Sequence, residues 1–235
     1  MKFNRHQTGR TAVVLAAGSG TRLGAGTNKV WLPLGGRELA TWSFQWLIES
    51  ELFDRYVLVV HQSEREFARE IFAKHVSVPV DIVDGGATRH ASESRALEFL
   101  APSIESGDCK LVLIHDGARP LAGPTLIKKI VQAAEKNGGA LPYLETAVLH
   151  GSSSEAEIVR VQTPQVFKAR EILDAYRKAG VENFEGSDTS MTMEKYYPDL
   201  KVECVRGTAL NIKVTYPQDL VMVEHLLASN SYSLK

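Results

Sequence analysis

The sequence predicts an α/β fold in which a mostly parallel, twisted sheet is flanked by helices, as in Rossmann-like proteins. In the first half of the 235-residue chain, apolar runs rich in β-branched residues alternate with stretches of helical periodicity. These runs are apolar throughout rather than alternately apolar and polar, which is typical of strands covered by helices on both faces. The alternation therefore indicates βαβ units with right-handed crossovers.

The elements can be assigned in chain order. The predicted strands of the first half cover residues 11–17, 55–61, 78–83 and 110–115. The helices between them cover 38–50, 63–75 and 88–100. A further helix at about 123–136 ends at the stop signal Asn137-Gly138-Gly139. Beyond residue 167 we expect two helices, a strand at 201–207, the short extended piece NIKV and a closing helix from about Pro217.

The stretch 141–167 departs from this alternation. Its segments LPYLETAVLH and EIVRVQTPQVF flank the polar turn GSSSEAE, which predicts a hairpin or arm that leaves the main sheet. No linker is long enough to separate two domains. We therefore expect one domain over residues 1–235, with a flexible tail at 1–10 and a protruding β-arm at about 141–160.

The composition excludes several classes of partner. The net charge is −1 and no basic tract resembles a nucleic-acid footprint, so a polymeric nucleic acid is not expected. The longest apolar runs, such as 12–17, are far too short to span a membrane. Cys109 and Cys204 lack metal-like spacing and are expected to be buried reduced thiols, which favours a cytoplasmic location.

A glycine-rich loop, LAAGSGTRL at 15–23, follows the first strand. It fails the dinucleotide pattern GxGxxG because Leu23 occupies the third glycine position and Gly24 comes one residue late. The second strand also lacks a terminal acidic residue, and no GxxxxGK[ST] motif occurs. What remains is a loop with exposed backbone N–H groups and two nearby cations, Arg22 and Lys29.

The charge around this loop favours a polyanion. Residues 1–37 contain six Lys or Arg and no Asp or Glu, although the whole chain is nearly neutral. Backbone donors within a positive field suit a phosphate-bearing ligand. Taken alone, the loop could also be a glycine-rich turn with solvated cations.

Three further motifs follow predicted strands. IHDGARP brings Asp116 to the carboxyl edge of the sheet, where a carboxylate suits Mg²⁺ and Arg119 could hold a second anion. Alternatively, Asp116 caps the next turn. In DGGATRHAS, Gly85 and Gly86 permit close approach of a flat base and Ser92 offers a hydroxyl, although a simple strand–helix turn fits equally well. The lysine of NIKV, Lys213, would be read by itself as a surface residue.

Together, LAAGSGTRLG, DGGATRHAS, IHDGARP, QTPQVF and NIKVTYPQDL have the order and spacing of one family. Over about residues 11–227 the chain resembles the 2-C-methyl-D-erythritol 4-phosphate cytidylyltransferases and the related ribitol-5-phosphate cytidylyltransferases. The first loop is shared with many nucleotidyltransferases, whereas HDGARP, QTPQ and NIKVT are more specific. The resemblance implies Mg²⁺-dependent transfer from CTP to a polyol phosphate, with methylerythritol phosphate as first choice, in isoprenoid precursor synthesis.

The resemblance also implies roles for individual residues. Arg22 and Lys29 match transition-state stabilisers, Lys213 the lysine that steers the acceptor phosphate, and Asp116 the carboxylate on the Mg²⁺ side. The cytidine and triphosphate pocket is matched by Ala16, Ala17, Gly18, Gly20, Gly85, Gly86, Ser92 and Asp116. Acceptor-side positions are matched by Arg119, Thr146, Thr163, Ser187, Asp188 and Lys213. The arm matches an arm that forms a homodimer and lends residues to the neighbouring acceptor site.

Departures from the family pattern lie on the acceptor side. The arm lacks the usual tryptophan, and Arg160 is too near QTPQ to match the usual arginine. Ser187 and Met191 replace a threonine and a serine, and Lys29 follows Asn28 instead of proline. Two alternatives therefore stay open: a cytidylyltransferase for another polyol phosphate such as ribitol 5-phosphate, or a CTP-binding protein without transfer activity. A nicotinamide oxidoreductase is disfavoured by the misplaced glycine.

Overall fold

The computed structural model describes residues 8–18, 28–145 and 159–229. The strands are β1 (Arg10–Leu15), β2 (Pro33–Leu34), β3 (Arg37–Glu38), β4 (Arg55–Val60), β5 (Asp81–Asp84), β6 (Leu111–Asp116), β7 (Gly139–Glu145), β8 (Val159–Val161), β9 (Gln165–Lys168) and β10 (Val202–Arg206). The helices are α1 (Leu39–Glu49), α2 (Arg65–His75), α3 (Arg89–Ser106), α4 (Gly123–Asn137), α5 (Ala169–Glu182), α6 (Thr189–Tyr196) and α7 (Pro217–Ala228).

Eight strands form a mostly parallel main sheet in the order β10-β7-β9-β6-β1-β4-β5, with β8 paired to β7. β1 lies between β6 and β4 and is parallel to both, so Leu15 is level with Asp116 on one side and Val59 on the other. Because these strands end together, the loops after β1, β5 and β6 meet at one edge of the sheet. The predicted α/β class is confirmed.

Both faces of the sheet are covered, as the apolar strands predict. Successive β1 residues point to opposite faces, and Ala12 and Val14 pack in one hydrophobic layer while Val13 packs in the other. All three are inaccessible to solvent. This burial on two sides holds the strand ends that carry the glycine loop and Asp116 in fixed positions.

Several predicted boundaries need correction. Thr8–Arg10 do not belong to a flexible tail: β1 begins at Arg10, and the Thr8 hydroxyl and the Gly9 N–H both donate to the Asp54 carboxylate at 2.7 Å. Helix α3 continues past residue 100 to Ser106, with Pro102 inside it. β5 is shorter than predicted, since residues 78–80 lie outside the strand.

The segment 141–167 also differs from the prediction. β7 does not leave the main sheet, because it pairs with β10 and β9 and its residues 139–142 are buried. Only its outer part forms the predicted hairpin, in which Tyr143 and Glu145 oppose Val161 and Val159 of β8. The middle of the arm, 146–158, lies outside the described residues.

Both cysteines are free, but only Cys109 is buried, whereas Cys204 lies exposed on strand β10. The expectation of two buried thiols is therefore wrong for Cys204. None of the helices in the described part of the chain combines the length and the apolar character that a bilayer crossing requires.

Candidate active site

A cavity of about 740 Å³ opens where the loops after β1, β5 and β6 meet. The structure brings together nine of the residues that the sequence singled out, all of them lining this cavity: Ala16, Ala17, Gly18, Lys29, Gly85, Gly86, Ser92, Asp116 and Lys213. Of the other site residues, Gly20, Arg22 and Thr146 lie outside the described residues. Four more, Arg119, Thr163, Ser187 and Asp188, are described but do not line the cavity.

Of the two glycines after β5, Gly85 lets this loop pack against the loop after β1, and Gly86 lets it turn closely against the start of α3. A Cβ atom on Gly85 would lie 2.3 Å from the Ala17 Cβ, and one on Gly86 would lie 2.4 Å from the Ala91 Cβ. Ser92 holds this turn from within, because its hydroxyl donates to the Thr88 carbonyl at 2.9 Å and accepts from the Gly86 N–H at 3.1 Å. The glycines therefore meet a packing requirement, and contact of Ser92 with a ligand stays a prediction.

Lys29 reaches the cavity from the turn that follows the glycine loop. It begins the 3₁₀ turn Lys29–Trp31, which the buried Asn28 caps through the Val30 N–H. The Asn28 side-chain amide also donates to the Ala16 carbonyl at 2.7 Å and to Glu64 at 3.0 Å. Asn28, the residue that departs from the family pattern, thus ties the base of Lys29 to the end of β1.

Asp116 is the centre of a cationic cluster. Its side chain is 9% exposed and lies 2.8 Å from the Lys213 Nζ, 3.4 Å from the Arg89 Nη2 and 3.5 Å from the Arg119 Nε. Burial opposes ionisation, but the charges of Arg89, Lys213 and Arg119 outweigh it and keep the Asp116 pKa well below its ordinary value. Asp116 is therefore an anion at neutral pH and does not act as a proton donor.

Asn211 positions the lysine of NIKV. This residue is fully buried, and its side-chain amide donates to the Thr163 carbonyl at 2.8 Å and to the Gln162 Oε1 at 3.3 Å. The Val214 N–H donates to the Ala118 carbonyl at 2.8 Å, which fixes the other end of the segment to the loop after β6. The QTPQ and HDGARP segments therefore hold the backbone on either side of Lys213 in place. The sequence around Lys213 by itself would predict only a surface lysine.

Two predicted acceptor-side residues have structural partners behind the cavity. Thr163 is 3% exposed, and its hydroxyl accepts from the Asp116 N–H at 3.0 Å, so it supports Asp116 from beneath. Arg119 donates through Nη1 to the Asn211 carbonyl at 2.8 Å. Thr163 thus has a supporting role within the protein, and its contact with a substrate stays a prediction.

His115 completes this support. It is buried, its Nε2 donates to the Arg119 carbonyl at 3.1 Å, and its Nδ1 lies 3.2 Å from the Thr163 hydroxyl. Because Thr163 accepts from the Asp116 N–H, its own hydroxyl proton is available to Nδ1, which assigns the neutral tautomer. Burial lowers the pKa of His115 to about 4, although Asp116 opposes this shift.

The depressed pKa of His115 predicts a pH-dependent stability. Between pH 6.5 and about 4 the unfolded chain binds a proton at this histidine and the folded chain does not. In metal-free protein its share of the unfolding free energy should fall by up to about 1.4 kcal/mol per pH unit as the pH decreases through this window. Urea titrations of wild type and His115→Gln at several pH values from 7 to 4.5 measure this share. The same dependence of the unfolding free energy on pH in both proteins would contradict the prediction.

Ser187 and Asp188 directly precede helix α6. Asp188 is the N-cap and accepts from the Met191 N–H at 2.9 Å, while Gln165 donates to its other oxygen at 3.3 Å. The Ser187 carbonyl accepts from the Arg89 Nη1 at 3.3 Å. Asp188 is thus committed to the helix end, and Ser187 is linked to the cationic cluster.

Arg89 is the functional candidate that the sequence reasoning missed. It lines the cavity from the first residue of α3, directly after the loop that follows β5, and its Nη2 lies 3.4 Å from the Asp116 Oδ1. The signal in the sequence was a cation directly after DGGAT, a motif already placed at the same sheet edge. Which side of the helix faces Asp116 follows only from the packing of α3 on the sheet.

The charges of the cavity indicate its class of ligand. Lys29, Arg89, Arg95 and Lys213 line it against the single carboxylate of Asp116, counting the described residues only. This excess of positive charge beside a glycine loop suits the phosphates of a nucleotide. A Rossmann-like sheet with such a crevice at its carboxyl edge is typical of α/β enzymes that bind nucleotides, a class that includes the nucleotidyltransferases.

Comparison with known proteins agrees with this class and specifies the family. Residues 11–229 match the family described as 2-C-methyl-D-erythritol 4-phosphate cytidylyltransferase. Curated relatives of that name are 32% identical in Bacillus mycoides strain KBAB4, over 92% of this chain and 97% of the relative, and 35% identical in Cereibacter sphaeroides strain KD131, over 92% and 96%.

A solved structure, 4-diphosphocytidyl-2C-methyl-D-erythritol synthase from Anaerococcus prevotii, is similar to this chain with a TM-score of 0.78 and 26% identity, over 93% of this chain and 96% of that one. The chain therefore belongs to the 2-C-methyl-D-erythritol 4-phosphate cytidylyltransferase family. It is an enzyme, a CTP-dependent nucleotidyltransferase, and the alternative of a CTP-binding protein without transfer activity is set aside.

Proposed function

We propose that this enzyme transfers the cytidylyl group of CTP to 2-C-methyl-D-erythritol 4-phosphate and releases pyrophosphate. The product is 4-diphosphocytidyl-2-C-methylerythritol, an isoprenoid precursor. The observation that carries the proposal is the convergence of Lys29, Lys213 and Asp116 on one cavity beside the glycine loop. The names of the curated relatives support the choice of acceptor.

The proposed chemistry is an in-line displacement at phosphorus. An oxygen of the acceptor phosphate forms a bond to the α-phosphorus of CTP, and the bond to the bridging oxygen of pyrophosphate breaks. Such a transfer requires positioning and cations rather than a covalent intermediate. Lys29 and Arg22 would stabilise the charge on the α-phosphate and leaving group, and Lys213 would orient the acceptor phosphate.

Asp116 fits the Mg²⁺ that we propose as cofactor. Mg²⁺ at phosphoryl-transfer sites is held by one or two carboxylates together with phosphate oxygens and waters. Among the described residues no cluster of three or more His, Cys, Asp or Glu could hold a metal by itself, which is consistent with an ion carried by the nucleotide. Lys213 is 41% exposed on its side chain, so it can turn from Asp116 when the ion binds. The ion would supply positive charge against the phosphates.

The remaining assignments are part of the same proposal. The main-chain groups of Ala16, Ala17, Gly18, Gly20, Gly85 and Gly86, with Ser92, would surround the nucleotide. Arg119, Ser187, Asp188 and Thr146 would act on the acceptor side, with Thr163 acting through Asp116. We further propose a single nucleotidyltransferase domain in the cytoplasm whose arm, at about 141–160, exchanges with that of a second copy.

The dimer is expected because a two-stranded arm is barely stable alone. Light scattering at micromolar concentration should give twice the 25.9 kDa chain mass. A mass of one chain under these conditions would contradict the exchanged arm.

Met191 stands where the family pattern has a serine, and this bears on the choice of acceptor. Met191 is half exposed at the start of α6, and the N–H and hydroxyl of Ser187 lie 3.4 and 3.5 Å from its sulfur. A thioether in this position presents a softer and less polar surface than a hydroxyl would. Ribitol 5-phosphate, which has no methyl branch, is therefore the comparison that tests whether this less polar contact selects the acceptor.

The test is pyrophosphate release from CTP and Mg²⁺ with a panel of polyol phosphates. We expect turnover with 2-C-methyl-D-erythritol 4-phosphate and a much lower kcat/KM with ribitol 5-phosphate. The reverse order would transfer the function to the second acceptor. Absence of pyrophosphate release with every polyol phosphate of the panel would contradict both assignments. Reactions in which UTP or ATP replaces CTP are the control for specificity toward the base.

A further inference from the structure

A second carboxylate is buried next to the Asp116 cluster and has no part in the proposed chemistry. Glu93 of α3 is 0% exposed. One of its oxygens accepts from the Tyr176 hydroxyl and the other accepts from the Thr189 hydroxyl at 2.9 Å. Burial raises the pKa of Glu93, while Arg89 and the two hydroxyls oppose that shift. Because each oxygen accepts a hydrogen bond from a neighbouring hydroxyl, the ionised form is stabilised in this place.

Arg89 lies between the two carboxylates. Its Nη2 is 3.3 Å from the Glu93 Oε1 and 3.4 Å from the Asp116 Oδ1. Neither approach has hydrogen-bond geometry, and the buried Nε and Nη2 make no hydrogen bond within the described part of the chain. The guanidinium is therefore shared between Glu93 and Asp116 by charge alone, and its Nη1 is held by the Ser187 carbonyl.

This sharing has a consequence for Asp116. Charge-assisted hydrogen bonds have lengths of about 2.7–2.9 Å. The Arg89–Asp116 separation is longer than this, so the two side chains are kept apart. Glu93 provides the opposing attraction, and its own position is fixed by Tyr176 and Thr189. Without the charge of Glu93, Arg89 would close on Asp116 and compete with any cation that binds there.

We propose that Glu93 is a positioning residue that holds Arg89 back from Asp116 and thereby keeps Asp116 available to the divalent cation of the nucleotide. The inference rests on the proposed function for the identity of that cation and nucleotide. The same network contains Thr189 of α6, so Glu93 also couples the predicted acceptor side to the Asp116 cluster.

The test is Glu93→Gln, which keeps the size of the side chain and one acceptor oxygen. A crystal structure of the variant without ligand should show the Arg89–Asp116 separation contracted from 3.4 Å to about 2.8 Å. The half-saturating Mg²⁺ concentration should rise about tenfold, as is usual when a group behind a metal ligand is altered. Binding of CTP in EDTA, measured by calorimetry, should not weaken, because the crevice has become more positive.

A purely structural role for Glu93 predicts a different pattern. It would lower the melting temperature and weaken CTP binding in EDTA while leaving the Mg²⁺ requirement unchanged, and this pattern overturns the proposal. Wild-type values throughout, expected if Glu93 were a protonated acid, overturn it as well. Glu98→Gln on the same helix, which breaks only an exposed pair with Arg177, is the matched control and should equal wild type.

Two further variants protect the test against misfolding. Thr189→Val removes one of the two hydroxyls that stabilise the ionised Glu93, so it should raise the half-saturating Mg²⁺ concentration in the same direction as Glu93→Gln but by a smaller factor. A wild-type Mg²⁺ requirement in this variant overturns the proposal. In an Arg89→Gln background, Glu93→Gln should cause no further rise, because the effect passes through Arg89. A further rise overturns the proposal. The contraction in the crystal needs no turnover, so failure of the proposed function and failure of this inference are distinguishable.

Discussion

Lys29→Ala is expected to lower kcat by about two to three orders of magnitude, as the loss of one donor to a developing oxyanion does. Lys29 lines the cavity from the turn after the glycine loop, and Asn28 fixes its base to the end of β1. Because the lysine is already held in place, it does not need to reorganise when negative charge develops on the α-phosphate. The measurement is steady-state pyrophosphate release at saturating CTP, acceptor and Mg²⁺.

The KM for CTP should change much less than kcat, because the substitution leaves the proposed contacts of the nucleotide with the two glycine loops unchanged. The exposed Lys128 of α4 offers a matched control, and Lys128→Ala should retain wild-type activity. Melting temperatures of both variants exclude general damage. A loss of less than tenfold for Lys29→Ala would remove this residue from the chemistry.

Asp116→Asn should have an effect of similar size on turnover. Asparagine keeps the shape of the side chain but cannot act as an anionic metal ligand. It leaves Arg119 and Lys213 without the charge they face, and it leaves Arg89 with Glu93 alone. We expect kcat to fall by about two to three orders of magnitude. The unfolding free energy should fall by about 2–3 kcal/mol, below the usual range for broken buried pairs because Lys213 can turn to solvent.

The metal dependence makes this prediction specific. CTP binding in EDTA should not weaken in Asp116→Asn, since the crevice loses a negative charge, but the gain in affinity that Mg²⁺ gives to wild type should disappear. Asp81→Asn, which breaks the half-exposed pair with Arg55, is the control for loss of a paired carboxylate. An undiminished Mg²⁺ effect in Asp116→Asn would place the metal elsewhere.

The fold was largely predictable because each of its strands and helices leaves a pattern in a short stretch of sequence. Continuous apolar strands and intervening amphipathic stretches specify a covered parallel sheet without any knowledge of long-range contacts. The prediction failed where pairing partners are distant in sequence. Strand β7 stays in the sheet because β9 and β10, up to 63 residues later, supply its neighbours. Thr8 and Gly9 are ordered because Asp54 receives their hydrogen bonds.

The candidate site was predictable where a motif stands at the end of a strand. The loops bearing Lys29, Gly85 and Asp116 meet because parallel strands end at one edge of the sheet. The supporting residues were not predictable in this way. Glu93 and Asn211 are polar residues whose role follows from complete burial against partners 83 and 49 residues away in the chain. Burial of this kind depends on the packing of helices and loops and leaves no periodic signal.

The central claim is that Lys29, Lys213 and a metal-bearing Asp116 converge on the α-phosphorus of CTP. The most direct measurement is a crystal structure of the enzyme with CTP and Mg²⁺ in the absence of acceptor. We expect the nucleotide in the cavity, the ion on the Asp116 carboxylate, and the amines of Lys29 and Lys213 directed at the α-phosphate and the position of the attacking oxygen. A nucleotide bound outside this cavity, or lysine amines directed away from the α-phosphorus, would contradict the account.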